Sequence, residues 1–96
     1  MSSETRRADL ARLGDHALAQ LDAAHRARES ALASCRETIR ACGLAIRAVH
    51  RLQPTETASR IAEADEGLRR AQQAVAPHPG LAAAGFLHDA EKELAE

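Results

Sequence analysis

The fold of this chain follows from one stretch, LASCRETIRACGLAIRAV, residues 32–49. Its larger apolar residues and its cysteines recur at steps of three and four, the period of a helix packed lengthwise against a neighbour. The series is Leu32, Cys35, Ile39, Cys42, Ile46 and Val49. We therefore predict an α-helix here, with this series as its buried seam.

An apolar stripe continues upstream of this stretch and predicts a long helix. Its members are Leu10, Leu13, Ala17, Leu21 and Ala24. The register shifts near residues 25–28, where charged residues would otherwise enter the seam. Between residues 6 and 52, the helix-weakening residues are Gly14 and Gly43. We predict one helix over about residues 6–52, with any bend at Gly14 or near residues 25–28.

Two further helices follow from the same periodicity. Pro54 ends the first helix, and a second is predicted over about residues 56–76, followed by the APHPG turn and a third helix over about residues 80–96. Their inward residues are expected to be Ile61, Ala64, Leu68, Ala71 and Val75, then Phe86, Leu87, Ala90 and Leu94. The predicted class is all-α, with long antiparallel helices in a bundle. Because no stop signal precedes Glu96, residues 1–96 are either a single helical domain or the N-terminal part of a larger one.

The composition indicates a thin core. The chain has 96 residues, of which 45% are apolar, but 23 are alanine and the aromatic residues amount to one Phe. Alanine favours helix strongly and buries little surface. A core of this kind would gain much from a partner, and we therefore expect a homo-oligomer.

Charge and hydropathy restrict the setting of the protein. The formal charge is −1, yet residues 1–52 sum to +3 and residues 53–96 to −4, so a polyanion would meet the first half. The first residues lack the apolar segment of a signal peptide, and no apolar run reaches the ~18 residues of a spanning helix. We expect a cytoplasmic protein without a membrane partner.

The two cysteines are predicted to be buried thiols. Cys35 and Cys42 lie seven residues apart in a helical segment, which separates their Cα atoms by about 10 Å at ~1.5 Å per residue. A disulfide requires less than ~7 Å. They are therefore interpreted as small hydrophobic residues of the seam.

Four arginines of the first helix are candidates for nucleic-acid binding. Arg36, Arg40, Arg47 and Arg51 lie at offsets 0, 4, 11 and 15, which places them in a band beside the seam. Such a band could follow a phosphate backbone. The alternative is a solvated helix face with one contact to Glu37. Since the chain lacks stacking aromatics, any contact with nucleic acid would be electrostatic.

Three carboxylates near the end of the chain are candidates for a metal site. Asp89, Glu93 and Glu96 lie at offsets 0, 4 and 7, so they share one helix face. Carboxylate oxygens suit Mg²⁺, which can activate water for phosphodiester hydrolysis. The alternative is ordinary acidic surface. Phosphate loops, dinucleotide fingerprints and the common hydrolase and zinc motifs are absent from the sequence.

Two longer stretches carry a family resemblance. They are RESALASCRETIRACGLAIRAVHR (residues 28–51) and HPGLAAAGFLHDAEKELAE (residues 78–96), on either side of the predicted second helix. In this order they resemble the first half of the translin and translin-associated factor X family, particularly its shorter prokaryotic members. The family pattern is a helix ending in AIRAIHR, a second helix, an HPE turn with a following G and F or Y, and DAxxEYxEA. The resemblance covers about two thirds of the chain.

The resemblance implies a larger all-α fold that assembles into oligomeric shells and binds single-stranded RNA or DNA. For the factor X type it implies RNA cleavage with Mg²⁺ held by acidic residues, two of them the glutamates of EYxEA. Glu93 and Glu96 of ELAE fall on those positions, and Leu94 replaces the tyrosine. The family's remaining catalytic aspartate belongs to the second half of the fold, which residues 1–96 do not contain.

These observations lead to three hypotheses. The first is a translin-family protein that self-assembles and binds single-stranded nucleic acid. In it, Glu93 and Glu96 are catalytic residues of a Mg²⁺-dependent endoribonuclease and, with Asp89, its metal ligands. The second is a helical oligomerisation or scaffold module without catalysis, in which the seam from Leu32 to Val49 mediates oligomerisation and the acidic face only solubilises the protein. The third is a subunit that binds nucleic acid and does not cleave it.

Overall fold

The computed structural model describes residues 2–82 and 85–96, and helices make up most of them. The helices are α1 (Ser3–His50), α2 (Pro54–Val75), α3 (Pro79–Ala82) and α4 (Gly85–Ala95). The described residues contain no strand, which confirms the all-α prediction. The first two helices lie close to the predicted ranges. The third predicted helix, residues 80–96, corresponds to α3 and α4, and its residues 83 and 84 lie outside the described part.

The first helix runs without interruption for 48 residues. The side chain of Ser2 caps its start by accepting a hydrogen bond from the Thr5 N–H at 3.1 Å. At ~1.5 Å per residue α1 is about 72 Å long, and the longest dimension of the molecule is 75 Å. Neither Gly14 nor residues 25–28 break the helix.

The end of α1 is a Schellman motif that turns the chain back. The Gln53 N–H bonds the Ala48 carbonyl and the Leu52 N–H bonds the Val49 carbonyl, both at 3.0 Å. Leu52 has φ 55°, in the left-handed region where glycine is the usual residue. Pro54 then occupies the first position of α2, where its missing N–H costs nothing. The result is an antiparallel α1–α2 hairpin.

The face of α1 that packs against the other helices is not the predicted seam. Its buried residues are Ala31, Cys35, Thr38, Ala41, Cys42, Ala45 and Ala48. Of the predicted series, Cys35 and Cys42 are buried and Leu32 is half-buried, whereas Ile39, Ile46 and Val49 are exposed. The prediction was therefore wrong for these last three residues, because the periodicity of the larger apolar residues does not identify the surface of closest helix approach. Here the small residues form that surface.

Close approach of α1 and α2 centres on Thr38 and Gly67. Thr38 is fully buried, and its Oγ1 lies 3.1 Å from the carbonyl oxygens of both Ser34 and Ala64. Its single hydroxyl proton is therefore shared between an acceptor within α1 and one on α2. A side chain on Gly67 would collide with it. This pair sets how closely the hairpin packs.

The fourth helix packs into the groove between α1 and α2. Leu87 and Ala90 are buried there, and Phe86 and Leu94 are half-buried against the same core, as predicted for all four. The Arg28 guanidinium lies over the Phe86 ring, 5.9 Å from its centroid. In α2 the predicted inward residues are buried except Ile61, which is 51% exposed.

Candidate functional site

The carboxylates Asp89, Glu93 and Glu96 lie towards the end of α4 that is nearest the α1–α2 turn. Asp89 and Glu96 are exposed and Glu93 is half-buried. Glu96 follows the last helical residue, and its N–H bonds the carbonyls of Lys92 and Glu93. Within residues 2–82 and 85–96, no three His, Cys, Asp or Glu side chains come together as metal ligands would. The helix therefore aligns the three carboxylates without gathering a fourth acid from another helix.

Glu93 and Glu96 border an open apolar groove between α1 and α2. The groove has a volume of about 270 Å³ and continues beyond the end of α4. Its lining consists of Cys42, Ala45, Ile46, Val49, Thr57, Ile61, Ala64, Glu93, Leu94, Ala95 and Glu96. Apart from Thr57, its polar side chains are the two glutamates at the rim. Such a groove suits an apolar side chain or helix with a cationic neighbour better than a free phosphate.

The two thiols lie under α4 and differ from reactive cysteines. Burial raises the pKa of the Cys35 thiol, and the Glu91 carboxylate raises it further. Burial likewise raises the pKa of Cys42, with a smaller contribution from Glu93. Both are free thiols. A raised pKa leaves them protonated near pH 7 and poorly nucleophilic, in agreement with their interpretation as core residues.

The arginine band lies on the side of α1 away from α2. Arg36, Arg40, Arg47 and Arg51 are all exposed, and at ~100° per residue they fall within about 60° around the helix axis. Arg51 approaches Glu56 at 4.0 Å. The ion pairs of the described residues include none with the other three arginines. The band is therefore available to an anionic partner.

The predicted contact of an arginine with Glu37 exists, but its arginine belongs to α2. Arg70 donates to Glu37 at 2.9 Å across the hairpin. The other arginines of α2, Arg60 and Arg69, pair with glutamates one turn away on their own helix. The basic groups of α2 are thus engaged within the chain, in contrast to those of the band.

Sequence reasoning identified the apolar residues along α1 but placed part of them in the core, and it did not single out Leu18; the structure leaves them as an uncovered apolar stripe. We call it the α1 stripe and define it as Leu10, Leu13, Leu18, Leu21, Ile39, Ile46 and Val49, all of them exposed. The sequence does contain a signal for it. A row of small residues beginning at Ala31 runs beside the large ones at the same spacing, and two parallel rows on one helix require two packing partners.

The chain matches no protein-family model, no curated protein and no solved structure in the comparisons made. The protein is elongated and all-α, and it is built on a long helical hairpin. Each helix in the described part is either too short or too polar to serve as a membrane-spanning segment.

Proposed function

We propose that this chain is a subunit of a helical assembly formed by its own copies. The observation that carries the proposal is the α1 stripe. Its four leucines are 62–67% exposed, and Ile46 and Val49 are 49% and 55% exposed. These residues form two exposed apolar patches, at residues 10–21 and 39–49, and exposed apolar patches typically mark an interaction site. Burying a Leu or Ile side chain stabilises an assembly by about 1.5–3 kcal/mol.

The position of the stripe adds to this argument. The buried residues of α1 all lie between Ala31 and Ala48, where α2 and α4 pack. From Leu10 to Gln20 every residue is exposed. In proteins most of the stability of a helix comes from tertiary packing of its apolar face. A second helix along this part of α1 would therefore stabilise it considerably.

Sedimentation velocity over a range of protein concentrations tests the assembly. We expect the wild-type chain to associate and Leu21→Glu to shift it towards monomer, because the new carboxylate would be buried. Ala19→Glu is the matched control, since Ala19 is exposed on the opposite face of the same part of α1. A wild-type chain that is monomeric at every concentration would contradict the proposal.

Binding of single-stranded nucleic acid, of the translin type, is the second candidate. The arginine band favours it, because three of its members have no carboxylate partner among the described residues. Such binding would be electrostatic, since the aromatic ring of Phe86 is half-buried beneath Arg28. The translin resemblance supplies single-stranded RNA or DNA as the polyanion.

Fluorescence anisotropy with a labelled single-stranded RNA tests this candidate. The logarithm of the binding constant should fall linearly with the logarithm of salt concentration, by about 0.7 for each phosphate contacted. Replacing Arg36, Arg40 and Arg47 together by Gln should make that slope shallower. Arg69→Gln is the control, because Arg69 already pairs with Glu66. An unchanged slope in the triple variant would exclude the band as the phosphate site.

Mg²⁺-dependent RNA cleavage would extend the second candidate. Carboxylates are the donors that Mg²⁺ takes, together with several waters, and Glu93 and Glu96 would hold it with Asp89 nearby. Bound Mg²⁺ would activate water and neutralise charge on the phosphate. The described residues bring no further acid to these two, so a complete site would need ligands from another segment or subunit.

The cleavage test uses labelled single-stranded RNA incubated with and without Mg²⁺. Glu93→Gln and Glu96→Gln should each reduce cleavage, whereas Glu91→Gln, on the other side of α4, should not. Cleavage at equal rates by the wild type and all three variants would exclude Glu93 and Glu96 as catalytic residues. Absence of cleavage with intact, salt-dependent binding would leave a binding subunit.

A further inference from the structure

Four residues of the α1 stripe share one line along α1, in two stretches separated by Arg28, which lies on the same line. At ~100° per residue, Leu10, Leu21, Ile39 and Ile46 fall within about 20° of one another around the axis. The first two belong to the half of α1 that is largely exposed, with Pro77 and His78 near Leu21, and the last two belong to the half that packs against α2 and α4. A straight partner helix of similar length would cover both halves at once.

A line of charged residues runs beside this stripe and changes sign along the helix. In the first half of α1 it consists of Glu4, Asp15, Asp22 and Glu29, and in the second half of Arg36, Arg40, Arg47 and Arg51. All eight fall within about 60° around the axis at ~100° per residue, with Arg7 and Arg26 just outside. Asp15 and Asp22, like most of the band, form no ion pair with the described residues.

This pattern determines which partner fits and how it is oriented. We propose that the α1 stripe is covered by α1 of a second copy, packed antiparallel about a two-fold axis near the level of Ser30. The inference rests on the assembly proposed above and specifies its partner and orientation. In a parallel pair the charged line of one copy would face the opposite flank of the other helix, so its acidic and basic halves would not meet. The antiparallel pair places each acidic half against a basic half.

The apolar residues match in the same register. Leu21 of one copy lies level with Ile39 of the other, and Leu13 lies within one residue of the level of Ile46. The charged flanks then place Asp15 near Arg47 and Asp22 between Arg36 and Arg40. Because the interface is isologous, each of these contacts occurs twice.

The surface at the edge of the stripe leaves room for a second helix. A Cβ added to Gly14 or Gly43 would have no atom of the chain within 4 Å. In the proposed register Gly14 faces Ile46 of the other copy and Gly43 faces Ala17. Small residues at these positions permit the two helices to approach closely.

Charge reversal tests the orientation. Asp15→Arg and Arg47→Asp should each raise the dissociation constant of the dimer, by roughly tenfold, because two ion pairs become two repulsive contacts. An equimolar mixture of the two single variants should restore association, since an antiparallel heterodimer regains both pairs. Asp65→Arg on α2 is the control, because it changes the net charge by the same amount on an exposed residue away from α1.

The results of these measurements distinguish the antiparallel arrangement from self-assembly in general. A monomeric wild-type chain contradicts both and leaves the stripe to a different partner. An associating wild type whose Asp15→Arg variant behaves like Asp65→Arg, with no recovery on mixing, overturns the antiparallel arrangement and leaves assembly standing.

Discussion

The Thr38 hydroxyl of α1 lies in the space that a side chain on Gly67 of α2 would need. A Cβ on Gly67 would stand 2.5 Å from Thr38 Oγ1 and 3.2 Å from the Ser34 carbonyl oxygen. The same hydroxyl reaches the Ala64 carbonyl of α2 at 3.1 Å. The Thr38 hydroxyl and the missing side chain of Gly67 together set the distance between α1 and α2.

Gly67→Ala is expected to destabilise the protein by about 1–3 kcal/mol, because the new methyl group must displace Thr38 from a packed interface. The change would otherwise favour helix by about 1 kcal/mol. Gly43→Ala is the control, since nothing lies within 4 Å of its added Cβ, and it should stabilise. Urea unfolding at a protein concentration low enough to keep the chain monomeric measures both, so that the proposed contact of Gly43 with a second copy does not contribute. Equal effects of the two substitutions would show that the helices do not approach as described.

Thr38→Val is expected to cost about 1–2 kcal/mol in the free energy of unfolding. Valine has nearly the same shape as threonine. It places a methyl group against the two carbonyl oxygens that share the hydroxyl proton of Thr38 in the wild type. Urea unfolding of Thr38→Val beside Thr38→Ser separates the hydroxyl from the methyl group. If Thr38→Val lowers the free energy of unfolding less than Thr38→Ser does, Thr38 contributes through packing and not through the hydrogen bond.

Leu52→Gly is expected to stabilise the protein by about 1 kcal/mol. Leu52 has φ 55° at the position after the α1 cap, and a left-handed conformation costs a residue with a Cβ about 1–2 kcal/mol. Its side chain is 88% exposed, so its removal loses little packing. Leu52→Ala keeps the backbone strain and is the control. If Leu52→Ala stabilises the protein as much as Leu52→Gly does, the effect comes from the side chain and not from backbone strain.

The buried thiols are expected to make stability fall at alkaline pH. The pKa values of Cys35 and Cys42 are raised in the folded chain, chiefly by burial. Their contribution is therefore complete below the unfolded thiol pKa of about 8.5 and is lost as the pH rises through the folded values. Urea unfolding from pH 7 to 11 measures the decline. Cys35→Ala/Cys42→Ala should be less stable at neutral pH but show a shallower decline, and an unchanged slope would contradict the assignment.

The periodicity of the apolar residues alone identified the helices, because steps of three and four residues match the turn of an α-helix, which is a local property of the chain. It placed α1 and α2 within a few residues of their ends, and the residues predicted to face inward from α4 do so. It also recognised the shared faces of the arginine band and of Asp89, Glu93 and Glu96, because both follow from helix geometry. What these faces bind stays a prediction.

The packing of α1 could not be read in the same way. Ile39 and Ala41 both belong to apolar rows of the helix, and the larger residue was the natural choice for the core. The structure buries Ala41 and leaves Ile39 39% exposed. Helix propensity and periodicity are local properties of the chain. Which row faces α2 is instead decided by Gly67 and Thr38, which come from different helices and act only when the hairpin has formed.

The sequence by itself determined that this protein is helical, that its first helix is long, and where the chain turns, because each of these depends on neighbouring residues. Only the tertiary structure decided which side of α1 is core and which is surface. The physical reason is that helices approach most closely where their side chains are smallest. The small residues of α1, most of them alanine, therefore pack against the other helices of the same chain. The larger Leu, Ile and Val residues remain exposed and available to a partner.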